Sequence, residues 1–173
     1  MLTLISNLHR TRKRNHLATL RKLFAGAERV VLCSGWLKRG GVIALLAELQ
    51  DAVQRGVRVT VYSNRPADKQ EETEEMAISE LARLGIDHVI VEQDFYLHAK
   101  IYYFESQGRY HAVLGSANLT NGGLQRNEEV SVLLSGELGD AQHQEIADYL
   151  KHLDRRCRRA VNRRRKAISL NAT

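Results

Sequence analysis

The chain has 173 residues, 43% of them hydrophobic, with 26 Lys and Arg against 20 Asp and Glu, two cysteines, and a formal net charge of +6. That suffices for one domain with its own core, while no run approaches the roughly 20 apolar residues of a membrane span and two cysteines exclude a disulfide framework. The opening Met1-Leu-Thr-Leu-Ile-Ser6 puts apolar residues before basic ones, the reverse of a secretory signal, so a cytoplasmic location is expected.

The first charged feature is the basic block Arg10-Thr-Arg12-Lys13-Arg14. Residues 15–25 have apolar spacing near three and four and read as an amphipathic helix ended by Gly26. Val30–Trp36 is apolar and reads as a buried strand, with Cys33 a core residue. Gly41–Gln54 reads as a second helix closed by Gly56. Val57–Tyr62 reads as a strand, broken at Asn64-Arg65-Pro66. Glu71–Leu84, opening with the acidic Glu71, Glu72, Glu74 and Glu75, reads as a third helix ended by Gly85, and Ile86–Val91 as a further strand. Strands separated by helices of this length imply right-handed βαβ units. Three shorter β-type runs follow, Lys100–Phe104, Tyr110–Leu114 and Val130–Leu134, with tight connections and mixed pairing. Asp140–Arg159 reads as a last helix leading to a frayed tail. No Pro/Gly/Ser linker and no internal repeat interrupts residues 1–173. The expectation is one α/β domain, a mixed and largely parallel sheet flanked by helices.

The three short strands carry the chemistry. In a strand, residues two apart share a face, so His98 and Lys100 project together. Ser116 and Asn118 are also two apart, just behind Gly115, which permits a close backbone approach. Glu129 opens the third run, with Glu128 as its rival. An imidazole can attack phosphorus, and ammonium and amide donors can hold phosphate oxygens as negative charge shifts in the transition state. A carboxylate can fix the imidazole's tautomer from its far nitrogen. His88 and His111 lack such context and read as structural or surface residues. His9, His16, His143 and His152 lie in basic or helical, surface-like stretches and are assigned no chemistry. Cys157 sits among arginines that would lower its pKa, but it has no partner motif. No Cys/His cluster has metal-ligand spacing, so neither metal nor cofactor is expected.

The ordered blocks His98-x-Lys100, Gly115-Ser116-x-Asn118 and Asn127-x-Glu129 resemble the phospholipase D superfamily signature, and the local string GSANLTNGGLQRNEE resembles its bacterial nuclease branch. That branch includes small single-motif endonucleases and the nuclease domains of some metal-independent restriction enzymes. The resemblance covers roughly residues 96–134 and suits the order of elements before it. One departure is Glu105, at a position where the family usually has a largely structural Asp. The resemblance implies a phospholipase D-like fold and a metal-independent phosphodiesterase without a cofactor. In it His98 forms a phosphohistidine, Lys100, Ser116 and Asn118 complete the phosphate site, and Glu129 orients. It also implies an active site built from two such motifs. This chain has one, so a homodimer is expected to bring two His98 side chains together.

The substrate expectation comes from charge. Arg155, Arg156, Arg158, Arg159, Arg163, Arg164 and Arg165, followed by Lys166, form a dense basic block. Clustered arginine favours phosphate backbones through charge and counterion release. Nucleic acid, DNA more than RNA, is therefore the expected partner, without stable membrane association. A solvated helix face and binding to a membrane surface are the rival readings of the same charge. The corresponding alternatives for function are a phospholipase or phosphatidyl transferase of the same superfamily, and a catalytically idle nucleic-acid-binding module.

Overall fold

The computed structural model describes residues 1–8, 15–66, 72–91 and 96–170, the last helix as backbone alone beyond Arg158. Its elements are β1 (Leu2–Ser6), α1 (His16–Phe24), β2 (Arg29–Ser34), α2 (Arg39–Ala44), α3 (Leu46–Gln54), β3 (Arg58–Asn64), α4 (Glu75–Arg83), β4 (Asp87–Val91), β5 (Lys100–Ser106), β6 (Arg109–Gly115), a π-helical turn (Gly122–Arg126), β7 (Val130–Glu137) and α5 (Ala141–Leu170). The strands form one seven-stranded sheet in the order β1-β7-β6-β5-β2-β3-β4. The basic block Arg10–Arg14, with His9, and Glu71, the first of the acidic run Glu71–Glu75, lie outside the described residues.

The sheet is mixed, as the pattern of elements predicts, but the balance differs from a largely parallel one. Only β2–β3 and β3–β4 pair in parallel. The other four interfaces are antiparallel. In the motif half β5 and β6 are joined by a tight turn, which can only connect antiparallel strands, and β7 returns antiparallel beside β6 after the longer connection 116–129. Gln107 and Gly108, at φ 49° and 72°, make the β5–β6 turn, the two positive φ values that a two-residue hairpin demands. Five strands still run one way, with β5 and β7 opposed.

Four local differences have physical causes. The predicted helix over 41–54 is two helices, broken at Leu45 (φ −113°, ψ 14°). β1, for which the sequence carries no strand signal, is a five-residue edge strand with one neighbour, too short to show a period. The third helix starts at Glu75, because residues 72–74 instead bridge to Leu37 through Leu37 N to Glu72 O and Glu74 N to Leu37 O. The expected frayed tail is helix as far as Leu170; residues 141–170 contain no Gly or Pro and many good helix formers.

Helices α1–α4 cover one face of the sheet, over a core that includes Leu20, Phe24, Leu32, Leu49, Val61 and Phe104. Among the described helices α5 alone covers the other face, with Leu150, Leu153 and Cys157 against Val31, Cys33, Tyr62 and Tyr103. Cys157 thus faces the sheet and not its arginine neighbours, and burial pushes its thiol up, opposite to the expected effect. The α5 face is covered only in part. The register Leu2↔Leu134, Leu4↔Val132 and Leu114↔Val132 puts these side chains together on it. Leu2, Leu4 and Val130 are exposed there.

Candidate active site

Opposed strand directions bring four strand ends to one place. Ser34 at the end of β2 pairs with Lys100 at the start of β5, and Gly115 at the end of β6 pairs with Ser131 at the start of β7. A Cβ on Gly115 would stand 2.5 Å from the Val130 carbonyl oxygen, which is the close approach expected of this glycine.

Two buried polar side chains, neither anticipated from sequence, hold the surrounding loops. Asn64, at the end of β3, donates through Nδ2 to the carbonyls of Gly35 and Leu97, both at 3.0 Å, and its Oδ1 accepts from Leu97 N at 2.9 Å. This ties the segment before His98 to the end of β2. Gly35 must be glycine for the same contact, since a Cβ would lie 2.5 Å from the Leu97 carbonyl oxygen. Ser34 is the second such residue. Its one hydroxyl proton has Trp36 O at 2.5 Å and Asn118 Oδ1 at 3.3 Å as acceptors, and its Oγ accepts from Leu119 N at 2.8 Å. Asn118 Oδ1 also accepts from Trp36 N at 3.1 Å. With its oxygen used inward, the Asn118 amide has its Nδ2 donor left for the cleft. Tyr102, fully buried, donates its hydroxyl to Ala117 O at 2.8 Å and fixes the turn from beneath.

The cleft so formed, about 340 Å³, is lined by Trp36, Lys38, His98, Asn118, Thr120, Asn127 and Glu129. Three sequence-predicted residues therefore meet in it directly: His98, Asn118 and Glu129. Ser116 joins them through Glu129, to whose Oε2 its hydroxyl donates. Lys100 joins them through His98, donating from Nζ to the His98 carbonyl at 2.8 Å. Burial lowers the Lys100 pKa and the nearby Glu129 charge opposes that shift. Asn127 Nδ2 reaches Glu129 Oε1 at 3.5 Å. Glu128 is exposed and outside the cleft.

Two details differ from the sequence reading. His98 lies just ahead of β5 and is exposed, so strand alternation does not set its direction; the Lys100 bond holds its backbone carbonyl. Its ring packs beside Tyr96, centroids 5.9 Å apart, and within the described residues no hydrogen bond joins it to Glu129. His16, read as surface-like, is fully buried behind the site. Its Nδ1 bonds Asn7 Oδ1 at 2.8 Å and its Nε2 bonds Ser131 Oγ at 2.7 Å. Burial lowers its pKa, with Glu129 opposing. Asn7 in turn donates to Gly123 O and Asn127 O at 2.8 and 3.1 Å, supporting the floor of the cleft. The missed residues are polar positions at strand ends, Ser34 and Asn64, whose only local signal is a polar side chain closing an apolar run.

Other predicted residues have structural partners. Glu105 accepts from Arg29 Nη1 at 2.7 Å and from the Tyr103 hydroxyl at 2.8 Å, outside the cleft. His88 bonds Ser63 and His111 bonds Ser135. Of the basic block, Arg155 and Arg156 are exposed, whereas Arg158 donates to Asp154 at 2.7 Å and Asp87 at 2.6 Å. Arg159, Arg163, Arg164 and Arg165 lie on the helical backbone of α5.

The sequence of residues 25–154 matches the family described as Cardiolipin synthase, PLD-like domain. Among solved structures, Nuc from Salmonella typhimurium, described as a phospholipase D family member, is similar over 90% of this chain and 93% of its own, with a TM-score of 0.63 and 16% identity. NucT from Helicobacter pylori is similar over 90% and 94%, with a TM-score of 0.66 and 14% identity. Polyphosphate kinase from Porphyromonas gingivalis is similar over 89% of this chain but 26% of its own, with a TM-score of 0.64 and 16% identity. At these identities the likeness is one of fold. No curated protein matches the chain in sequence.

Proposed function

The chain belongs to the PLD-like domain family, and from that premise we propose that it is a metal-independent phosphodiesterase acting on nucleic acid, a DNA endonuclease, working through a phosphohistidine at a site shared by two copies. The observation that carries the reading is the cleft in which the His98 imidazole, the Asn118 amide and the Glu129 carboxylate converge, with the Lys100 ammonium bonded behind His98. His98 attacks phosphorus, so a P–N bond forms as the P–O bond to the leaving oxygen breaks. Lys100 and Asn118 Nδ2 hold the non-bridging oxygens as charge develops on them. His98 of the partner subunit gives its proton to the leaving oxygen, then takes one from the water that breaks the P–N bond. The products are an alcohol and a phosphomonoester. Each ring takes its orientation from a Glu129 carboxylate of the shared site.

Charge supports nucleic acid over lipid. The net charge is +6 and the arginines concentrate in one stretch of α5, a form suited to several phosphates in a row. No helix among the described residues is long and apolar enough to cross a membrane. The test is an assay of plasmid DNA, oligonucleotides and a phosphatidylcholine dispersion, each with excess chelator, with His98→Ala in parallel. DNA cleavage that persists in chelator and vanishes in His98→Ala is expected, the loss amounting to several orders of magnitude. Lipid turnover without DNA cleavage, or near-normal cleavage by a folded His98→Ala protein, overturns the reading.

A further inference from the structure

Two half-exposed aromatic rings stand in or beside the cleft. Trp36, the only tryptophan of the chain, is 44% exposed and lines the cleft. Its backbone is fixed on both sides, N–H to Asn118 and carbonyl to Ser34, so the indole is held at the site by the groups that position the phosphate-binding amide. Tyr96 is 49% exposed, with its ring tilted by 34° to that of His98 at 5.9 Å. Leu97, next to it, is locked by Asn64, so this ring too is carried on a braced backbone. Trp36 therefore borders Asn118, and Tyr96 borders His98, its hydroxyl held toward Glu72, Trp36 and Asn64. Trp and Tyr pair a large flat apolar face with a polar tip, which suits a ring at the edge of a binding cleft.

We infer that Trp36 and Tyr96 form a stacking platform for the bases flanking the scissile phosphate, and that the enzyme prefers single-stranded nucleic acid, whose bases are free to turn a face to them. This rests on the phosphodiesterase reading above and adds its substrate class. A base within a duplex is stacked on both faces and offers protein only its edges in the grooves. An unpaired base offers its π face, and aromatic stacking there is tolerant of sequence. The platform supplies affinity beside the reacting atoms, while Lys100 and Asn118 engage the phosphate itself.

The single tryptophan makes the contact directly readable. Catalytically silent His98→Ala protein is titrated, in chelator, with three probes: a single-stranded oligonucleotide, its duplex, and an oligonucleotide of the same length carrying abasic residues. Strong quenching of Trp36 emission by the single strand is expected, with little quenching by the abasic chain. Active protein should show a single-strand preference that falls about 5- to 100-fold in Trp36→Ala, as the loss of one stacked base implies, and is largely kept in Trp36→Phe. Equal quenching by the normal and abasic chains, or equal affinity for single strand and duplex with cleavage of both, overturns the platform while leaving the nuclease reading intact. Anionic vesicles that quench and blue-shift Trp36 when no oligonucleotide does so, with no DNA cleaved, overturn both.

Discussion

Asn64 makes three hydrogen bonds to two loops and none to a catalytic group, yet it braces Leu97, the residue directly before His98. Replacing it with Ala leaves a buried N–H and two buried carbonyls without partners, at a cost of about 1–3 kcal/mol. Asn64→Ala should therefore lower the denaturant midpoint and, because Leu97 is released, lower kcat more than it raises KM. Unchanged kcat in a destabilised protein would mean the brace has no bearing on the site. The buried His16 and the half-buried His88 and His111 give the residue scale a pH dependence. His16 and His111 have lowered pKa values and His88 is pushed down to about 4, in each case chiefly by burial. These rings are neutral in the fold, while the unfolded chain binds protons from about pH 6.5 downward. Stability is thus fully present above that pH and is lost as pH falls toward 4. Thermal unfolding should move to lower temperature between pH 7 and pH 5, and His88→Gln should flatten the slope. A midpoint that rises over that interval contradicts the sign.

Helix α5 is the element whose two halves do different things. Its first half is clamped: Asp154 accepts from the Tyr62 hydroxyl at 2.6 Å and from Arg158, and Arg158 also reaches Asp87 on the edge strand β4. Continuing to Leu170, twelve further residues carry the helix on by about 18 Å. Charge reversal at Arg155 and Arg163 should weaken DNA affinity and flatten its salt dependence with kcat little changed. Arg158→Ala should instead cost about 1 kcal/mol of stability, discounted for its partial exposure, with a smaller effect on the salt slope. An equal salt effect from all three positions would mean that the clamp is no clamp. Most elements were legible in the sequence because apolar period and Gly56 and Gly85, both at positive φ, are local signals. The break at Leu45, the strand β1 and the Ser34 and Asn64 braces were not. Their causes are tertiary: Ser34 meets Leu119 at a separation of 85 residues, and Asn64 meets Leu97 at 33. His98, Lys100, Ser116, Asn118 and Glu129 stood out in the sequence as three ordered blocks, and the structure brings His98, Asn118 and Glu129 of them into one cleft. That His98 lies ahead of β5 was not legible.

At the scale of the whole molecule, one His98 per chain sets the problem. An in-line displacement puts attacking and leaving atoms on opposite faces of phosphorus, so a single imidazole cannot attack and protonate in the same step. The cleft is open, and within the described residues His98 lacks a hydrogen-bonded orienting carboxylate of its own chain. Beside it the sheet leaves Leu2, Leu4 and Val130 exposed, Val130 following directly on Glu129. A second copy related by a two-fold axis would bury this apolar strip and bring two clefts onto one phosphate. Leu4→Glu should then shift the protein to monomer in sedimentation and abolish cleavage while leaving its circular dichroism intact. Subunit mixing tests the shared site itself. With three parts His98→Ala to one part wild type, random exchange leaves about a quarter of the wild-type chains in homodimers, and activity per wild-type chain should fall accordingly, because a heterodimer holds one imidazole and stalls. If activity per wild-type chain is unchanged once exchange is verified by mass labelling, each chain works alone, and the acid that protonates the leaving oxygen must be sought within a single cleft.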